Sequence, residues 1–578
     1  MTDTIANSDP PNATAGNHSV GIDLRSMRDG HMYLLIVLLA AIIYGKSVLF
    51  QYTFSDDTQL LVVNQEFLSN LANIPKLLKT DVFISFTNPH VFYRPFLNFL
   101  FMLELQVSKD SPVIFHVTNI VLHVGCSFLL FVFLQQFGVK KHLAAATTLL
   151  FCAHPLNTSA VVWIPGRNDS LLTLLVLASF STFLVALKTR RSLPMLGHLF
   201  FLFLALLTKE TAVALPILTL SYLFLIEKGR VSLKTVFFIV TSYVLLVALW
   251  LILRSMVTRT YEVHQSILTI ATSWLDNAPA FILYLGKVFF PFNLSVFPNL
   301  TDQSLILGFL SLFLLGAAYI VDRPSSGWKI AWGLAWFFLF LAPTFLSGAI
   351  FHEHRAYCSL VGLLFAVTQL PLIQNINLTK TVNLLGFVVV LALFAVLATV
   401  HSEQFRDRTA YATSAFLYSP NVDESYSAIA GLFLDEGNDA AAERVLRAGI
   451  AKNPSMMAVH RMLGDVYAKR HEYARAANEY ETSIRLEPLQ LYTYINYGKM
   501  CLETGRLEDA ARLWKQSVTL DPEFLLGYYY LANFYIHVKN DPDSAMMYAK
   551  QIQRRGVTVV PELLRAIQEN PLYKKKTP

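Results

Sequence analysis

Apolar and polar residues follow two different patterns along this chain. Residues 31–400 contain long apolar runs separated by short polar loops, whereas residues 401–578 have the charged composition of a soluble protein. A helix needs about 20 apolar residues to cross the ~30 Å hydrocarbon core of a bilayer. The first part therefore predicts a bundle of membrane helices, and the second part predicts a soluble domain.

The apolar runs predict about eleven membrane spans. Two further segments, 93–107 and 278–297, are interrupted by charges or prolines and are assigned to the membrane interface. A 15-residue helix is only about 22 Å long, which is too short to span. The predicted spans are Met32–Phe50, Pro112–Phe137, Leu143–Ile164, Ser170–Leu187, Pro194–Leu207, Ala212–Ile226, Lys234–Leu253, Leu305–Val321, Lys329–Leu346, Cys358–Ile373 and Val382–Val400.

Basic clusters orient the bundle. The second, fourth and sixth spans end at Lys140-Lys141, at 188–191 and at 228–230, and clusters of this kind favour the inner side of a membrane. The first outer loop (51–110) and the soluble domain then lie outside. Residues 1–30 are predicted to be a disordered cytoplasmic tail, 401–422 a linker and 557–578 a C-terminal tail.

A 34-residue period marks the soluble domain. Asn453-Pro454, Glu487-Pro488 and Asp521-Pro522 recur at that spacing, as do Gly464 and Gly498. A helix-turn-helix of 34 residues closed by proline is the tetratricopeptide pattern. About four units over 423–556 predict an α-solenoid, so the fold class is all-α: a polytopic membrane helix bundle followed by a C-terminal repeat domain.

Composition agrees with a membrane protein, since 54% of the residues are hydrophobic and 15% are charged. Basic inner loops account for the net charge of +6, so we expect no nucleic-acid partner. The four cysteines form neither a disulfide framework nor a zinc pattern.

The predicted orientation collects ionisable residues at the outer face. A charge at the bilayer centre costs about 3 kcal/mol, so such residues tend to line a cavity. Four permanent cations among them suit a phosphate group. An equal alternative is that these residues form structural ion pairs, namely Lys209–Glu210, Arg167–Asp169 and Arg355–Glu353. The residues are Asp56, Asp57, Arg94, Arg167, Asp169, Lys209, Glu210, His352, Glu353, Arg355 and Tyr357.

Individual polar residues allow several interpretations. Asp56 and Asp57 can act as a general base, bind a divalent cation or form a polar helix boundary. His154, before Pro155, is expected to mark a kink with its ring near the cavity, while His116, Asn119 and His123 are expected to join helices. His352 and His354 around Glu353 can in principle bind a metal.

Six motifs in order, followed by the repeats, resemble the transmembrane and tetratricopeptide repeat (TMTC-like) protein O-mannosyltransferases of the GT-C glycosyltransferase superfamily. The final motif departs from the family's usual Glu-Arg-Tyr. The motifs are Asp56-Asp57, Tyr93-Arg94-Pro95, His154-Pro155-Leu156-Asn157, Gly166-Arg167-Asn168-Asp169, Thr208-Lys209-Glu210-Thr211 and Arg355-Ala356-Tyr357.

The resemblance implies a membrane bundle of GT-C type and transfer of mannose or another hexose from a polyprenyl-phosphate sugar. It implies Asp57 or Asp56 as catalytic base, and Arg167, Lys209 and Arg355 as ligands of the donor phosphate, to which we add Arg94. Asp169, Glu210, His154, His352, Glu353 and Tyr357 are expected to line the cavity. No cofactor is certain; if a divalent cation is used, Asp56 and Asp57 are its expected ligands.

The expected partners are the membrane, the sugar lipid and an acceptor protein recruited by the repeats. The small number of repeats and the polar tail favour a bacterial inner-membrane protein with periplasmic repeats, or lumenal repeats in an endoplasmic reticulum. Two alternatives remain: an envelope lipid or glycan as the acceptor, and a membrane-anchored repeat scaffold without enzymatic activity.

Overall fold

A computed structural model describes residues 28–53, 55–84, 92–108, 111–257, 267–324, 327–346, 351–554 and 559–574. Helices are the only regular elements in these ranges. Most of the predicted cytoplasmic tail (1–27) lies outside the described residues, as do parts of the predicted C-terminal tail (557–558 and 575–578).

The membrane domain contains fourteen of the longer helices in the described ranges. The helices are α1 (Asp29–Tyr44), α2 (Pro95–Ser108), α3 (Val113–Gln136), α4 (Lys141–Ala153), α5 (Arg167–Thr189), α6 (Ser192–Leu206), α7 (Ala214–Tyr222), α8 (Leu233–Ser255), α9 (Ile267–Asn277), α10 (Pro279–Phe289), α11 (Ile306–Val321), α12 (Gly327–Leu341), α13 (Tyr357–Thr368) and α14 (Thr381–Ser402). Helices α2 and α10 lie in the two segments that were predicted for the membrane interface.

Each of the eleven predicted spans contains a helix. Among the described residues, seven helical segments are long and apolar enough to cross a membrane, namely those built on α1, α3, α5, α7, α8, α12 and α14. Helices α6 and α11 are apolar but shorter. Helices α4 and α13 have only 13 and 12 residues. The chain is therefore an integral membrane protein whose shortest helices are held within the bundle.

The third predicted span is wrong as a single helix because it is interrupted at His154. Pro155 has no N–H and disfavours helical geometry at the preceding residue, so α4 ends at Ala153 and His154 is extended (ψ 123°). The His154 ring accepts a hydrogen bond from the Leu156 N–H at 3.2 Å and donates one to the Val288 carbonyl at 2.9 Å. The first bond satisfies an N–H that the break leaves without a helical partner, and the second joins the break to the C-terminal end of α10.

The repeats form a regular series of helix pairs. The first helices of the four pairs begin at Asp423, Met457, Leu491 and Leu525, 34 residues apart. The carboxylate of Asp423 accepts bonds from the N–H groups of Ala458 and Val459, which caps the next repeat. After α15 (Arg408–Tyr418), the helices are α16 (Asp423–Asp435), α17 (Asp439–Lys452), α18 (Met457–Lys469), α19 (Tyr473–Leu486), α20 (Leu491–Glu503), α21 (Leu507–Leu520), α22 (Leu525–His537), α23 (Pro542–Arg554) and α24 (Pro561–Glu569).

Several contacts fix the linker to the membrane domain. The Gln51 N–H donates to the Arg406 carbonyl at 2.9 Å, and Asn421 N–H donates to the Asp302 carboxylate at 3.1 Å. Tyr411 of α15 packs against Trp163 with ring centroids 6.4 Å apart. The predicted linker therefore contains a helix that packs between the membrane helices and the first repeat.

In each of the two central helix pairs, a glycine of the first helix lies against an aromatic ring of the second helix. A Cβ atom at Gly498 would lie 2.4 Å from the Trp514 ring nitrogen, and one at Gly464 would lie 2.7 Å from the Tyr480 ring. We expect Gly498→Ala to destabilise the repeats by about 1–3 kcal/mol, because the added methyl forces the buried ring to move. Thermal unfolding of the full chain, followed through protease resistance of the repeats, measures this loss.

The matched control is Gly431→Ala in α16, where the nearest atom is the end of the Arg408 side chain at 3.4 Å. This substitution should leave the transition unchanged. Equal stability of both variants would contradict the close contact at Gly498.

Candidate active site

A recess of about 500 Å³ lies at one end of the membrane helices. The loops that follow α1, precede α2 and α5, join α6 to α7 and precede α13 all reach it, together with the end of α8. Seven of the predicted site residues line it: Asp56, Arg94, Asp169, Lys209, Glu210, His352 and Arg355. Loops that are far apart in sequence therefore place their charges around one cavity.

The two adjacent carboxylates occupy different environments. Asp57 is 1% exposed, and its two oxygens accept bonds of 2.7 Å from the backbone N–H and the hydroxyl of Thr53. The Trp163 indole N–H in turn donates to the Thr53 hydroxyl at 3.2 Å. Asp56 faces the recess. Asp57 is thus a buried acceptor within its own loop, whereas Asp56 is accessible from the cavity.

The surroundings of Asp56 in the recess determine the pKa of its carboxyl group. Removal from bulk water and the neighbouring Asp57 raise the pKa of Asp56 to about 6, against the opposing effect of Arg94 and Arg355. The carboxyl group therefore changes charge close to neutral pH, the range in which a general base operates best.

The predicted alternative pairing of sequence neighbours is wrong, since each carboxylate has a distant partner. The Arg94 guanidinium donates to Glu210 at 3.0 Å, and the Lys209 ammonium contacts both oxygens of Asp169 at 2.7 and 2.8 Å. The four side chains come from the loop before α2, the loop between α6 and α7 and the first turn of α5, so the two ion pairs hold these three segments together.

Arg167 was predicted to bind the donor phosphate, but it does not reach the recess. Its side chain is completely buried and donates to the Asn119 amide at 2.8 Å, to Glu104 at 2.5 Å and to the Phe115 carbonyl at 2.7 Å. The guanidinium also lies 4.6 Å from the centre of the Phe101 ring. Every nitrogen is thereby engaged, and Arg167 joins α2, α3 and α5.

Glu353 was predicted to line the cavity and is instead buried beneath it. It contacts the Lys287 ammonium at 2.6 Å and the His401 ring at 3.0 Å. Burial alone would raise its pKa, but Lys287 and His401 lower it to about 2, so the group is a permanent anion. This buried cluster attaches the loop before α13 to α10 and α14.

The two histidines beside Glu353 line the recess as neutral rings. His352 and His354 are stacked with centroids 5.1 Å apart, and the Trp163 ring lies 5.4 Å from His354. Burial and the neighbouring Arg355 lower the pKa of His352 to about 3. Together the three rings form an apolar and weakly polar part of the recess lining.

Two other residues predicted to line the cavity lie elsewhere. His154 is buried at the helix break described above. The hydroxyl of Tyr357 is buried 2.6 Å from Nδ1 of His123. Both residues join helices, as predicted for His123, because a polar group inside the bundle must find a partner there.

Arg254 is a recess residue that the sequence analysis missed. It lies at the end of α8 and places its guanidinium 5.6 Å from the Trp250 ring. A cation that ends an apolar helix at the predicted outer side runs against the usual bias towards inner basic residues. This feature of the sequence could have identified Arg254. The lining then has four cations, Arg94, Lys209, Arg254 and Arg355, and three carboxylates, Asp56, Asp169 and Glu210.

A metal site does not form around the predicted residues in the described part of the chain. No three His, Cys, Asp or Glu side chains converge there in a metal-binding arrangement. Both oxygens of Asp57 are occupied by Thr53, and Glu353 is occupied by Lys287, so neither carboxylate faces the recess as a ligand.

Comparison with known proteins gives matches over both parts of the chain. The tetratricopeptide repeat family model matches residues 428–488 and 461–524, which identifies the helix pairs as these repeats. Protein O-mannosyl-transferase TMTC3 of Mus musculus is 22% identical over 565 residues, which cover 86% of this chain and 60% of the mouse protein. The homologues of this chain are TMTC proteins.

Shorter matches to TMTC proteins have higher identity. Protein O-mannosyl-transferase TMTC1 of Homo sapiens is 35% identical over 135 residues, covering 22% of this chain and 15% of the human protein. TMTC4 of Mus musculus is 31% identical over 172 residues, covering 27% of this chain and 23% of that protein. The chain spans about 60% of the length of its TMTC3 homologue.

The buried position of Arg167 predicts a stability defect. Arg167→Gln leaves the Glu104 carboxylate without its cation, and breaking a buried pair in this way costs about 3–5 kcal/mol. Thermal unfolding of the purified protein in detergent should therefore begin at a lower temperature.

The paired variant Arg167→Met with Glu104→Met serves as the control, because an apolar pair avoids the lone buried charge. It should recover much of the lost stability. If Arg167→Gln is as stable as the parent protein, Arg167 is not a structural residue.

Proposed function

We propose that this chain is a GT-C-type glycosyltransferase that moves mannose or another hexose from a polyprenyl phosphate to Ser or Thr hydroxyls of an acceptor protein at the outer membrane face. The observation that supports this most directly is Asp56, a carboxylate with a pKa near 6 in a recess lined by four cations. The names of the TMTC homologues support transfer of mannose to proteins.

Asp56 is the proposed general base. The hydroxyl oxygen of the acceptor attacks the anomeric carbon, its proton passes to Asp56, and the bond between that carbon and the phosphate oxygen breaks. A base placed in this way contributes about 10²- to 10⁴-fold to the rate. Asp57, fixed by Thr53, is the proposed positioning residue that holds the loop, and its neighbouring charge helps to raise the pKa of Asp56.

The cations are proposed to bind the leaving phosphate. Bond breakage leaves a lipid phosphate anion, which fixed positive charges stabilise without reorganisation. We assign phosphate binding to the four cations that line the recess, Arg94, Lys209, Arg254 and Arg355. Guanidinium groups suit this role because they donate two parallel hydrogen bonds to phosphate oxygens.

The repeats are proposed to bind the acceptor protein. Stacked helix pairs of this type form extended surfaces that usually bind peptides or other proteins. The first repeat reaches the recess through α15, whose Tyr411 contacts Trp163 of the cavity wall. An acceptor segment held by the repeats is thus delivered beside Asp56. The positive-inside pattern supports the outer, periplasmic or lumenal, position of the recess and repeats.

Substitution of the two aspartates separates catalysis from positioning. We expect Asp56→Asn to lower transfer by at least about 10²-fold while the unfolding temperature stays unchanged, because its side chain faces the cavity. Asp57→Asn should lower both activity and stability, since an amide has only one oxygen to accept the two Thr53 bonds.

The measurement is transfer of labelled mannose from a polyprenyl phosphate to acceptor protein by the purified full chain, with thermal unfolding in parallel. Near-normal turnover of Asp56→Asn would exclude it as the base. Absence of transfer by the purified parent chain would favour the scaffold alternative.

The rate should depend on pH through Asp56. A base must be unprotonated, so the rate at saturating donor should fall as the pH drops through about 6, the pKa of Asp56. Arg355 lowers this pKa, and Arg355→Gln should therefore move the acid limb to higher pH. The pH profiles of the two proteins measure the shift, and a displacement to lower pH would contradict the assignment.

A further inference from the structure

A second cavity, of about 980 Å³, lies at the opposite end of the membrane helices from the recess. Its lining comes from the C-terminal end of α5, the N-terminal ends of α6 and α8, and the turn that follows α7. Helix α5 has 23 residues and is therefore about 35 Å long, and it carries Asp169 of the recess in its first turn. This cavity is thus separated from the recess by about the thickness of a bilayer.

Four cations surround this second cavity: Lys188, Arg190, Arg191 and Arg230. Its one acidic residue is Glu227, whose carboxylate accepts a hydrogen bond from the Tyr222 hydroxyl at 2.9 Å. Within the described ranges, none of the four cations forms a salt bridge. The cations of the recess differ, since Arg94 and Lys209 there have acidic partners.

The floor of the second cavity is apolar. Leu184 and Leu187 of α5, Met195 of α6 and Phe238 of α8 line it, and the Phe238 side chain is 51% exposed. The charges therefore surround the mouth, and the hydrocarbon groups lie on the side of the membrane interior. This order matches a molecule with an anionic head and an apolar tail.

The turn between α5 and α6 fixes part of the cationic rim. Arg190 adopts a left-handed conformation with φ of 54°, and its N–H donates to the Ala186 carbonyl at 2.8 Å. A residue held in this way ends the helix and reverses the chain within one position. Neighbouring Lys188 and Arg191 are thereby kept at the same mouth.

We infer that this cavity binds the phosphate headgroup of an anionic phospholipid of the adjacent leaflet, with the first part of its acyl chains on the apolar floor. Basic side chains near a membrane surface attract anionic lipids, with about fivefold in affinity for each cation. This binding site is separate from the proposed transfer site and does not depend on its activity.

The experiment measures retention of phosphatidylglycerol by the purified full chain in detergent, using native mass spectrometry, with phosphatidylcholine as the zwitterionic control. The parent protein should retain phosphatidylglycerol selectively. The double variant Arg190→Gln with Arg230→Gln should lose about 25-fold in affinity, two cations at about fivefold each. Both side chains are exposed, so the substitutions remove charge without disturbing buried packing.

Lys234→Gln is the matched control, because Lys234 is an exposed cation at the start of α8 that does not line the cavity. It should retain the lipid like the parent protein. Equal loss in Lys234→Gln would show diffuse surface attraction and overturn the site, as would full retention in the double variant. Displacement of the lipid by an equal concentration of inorganic phosphate would overturn the lipid assignment in favour of a soluble phosphate ligand.

Discussion

The membrane domain depends on ion pairs that cross between distant parts of the chain. Transfer of a single charge from water into a protein interior costs several kcal/mol, and a partner at hydrogen-bonding distance recovers much of that cost. Arg167 with Glu104, Lys209 with Asp169 and Lys287 with Glu353 meet this requirement. Each pair joins elements that apolar packing alone would leave free to slide, because lipid and helix surfaces are equally apolar. The helix ends around the recess are therefore fixed in one arrangement.

That arrangement separates two neighbouring, chemically identical carboxylates into different roles. Asp57 faces inward and is saturated by Thr53, whereas Asp56 faces the cavity and keeps a pKa near neutrality. One residue along the chain is enough to exchange a buried hydrogen-bond acceptor for a carboxylate that faces the cavity. The adjacent cations then complete a site that suits a sugar joined to a phosphate.

Apolar runs and the 34-residue period predicted the fold well, because each depends on local sequence. Every predicted span contains a helix, and all four pairs begin at the expected spacing. The same patterns brought Asp56, Arg94, Lys209 and Arg355 to one face, since alternating spans place alternate loops on the same side. The proline that follows His154 was also sufficient to predict a kink at this position.

Partners of buried charges could not be predicted in this way. Arg167 resembles a recess residue in sequence, yet only the three-dimensional packing decides that it turns towards Glu104. Packing likewise decides that Glu210, within the recess, pairs with Arg94 and not with its neighbour Lys209. The predictions that Tyr357 and Glu353 line the cavity were wrong for the same reason. A difference of less than half a turn in the direction of a side chain moves it from a cavity into a helix interface. Arg254 was not predicted as a recess residue because the predicted span ends at Leu253, one residue before it.

The firm attachment of α15 has a consequence for the acceptor proposed above. Gln51 and Tyr411 hold the start of the solenoid at a set position beside the recess. In the proposed function, a segment bound along the repeats has a high effective concentration at Asp56 only over a limited reach of chain. The spacing between the bound segment and a serine or threonine, rather than the sequence around that residue, would then select the hydroxyl.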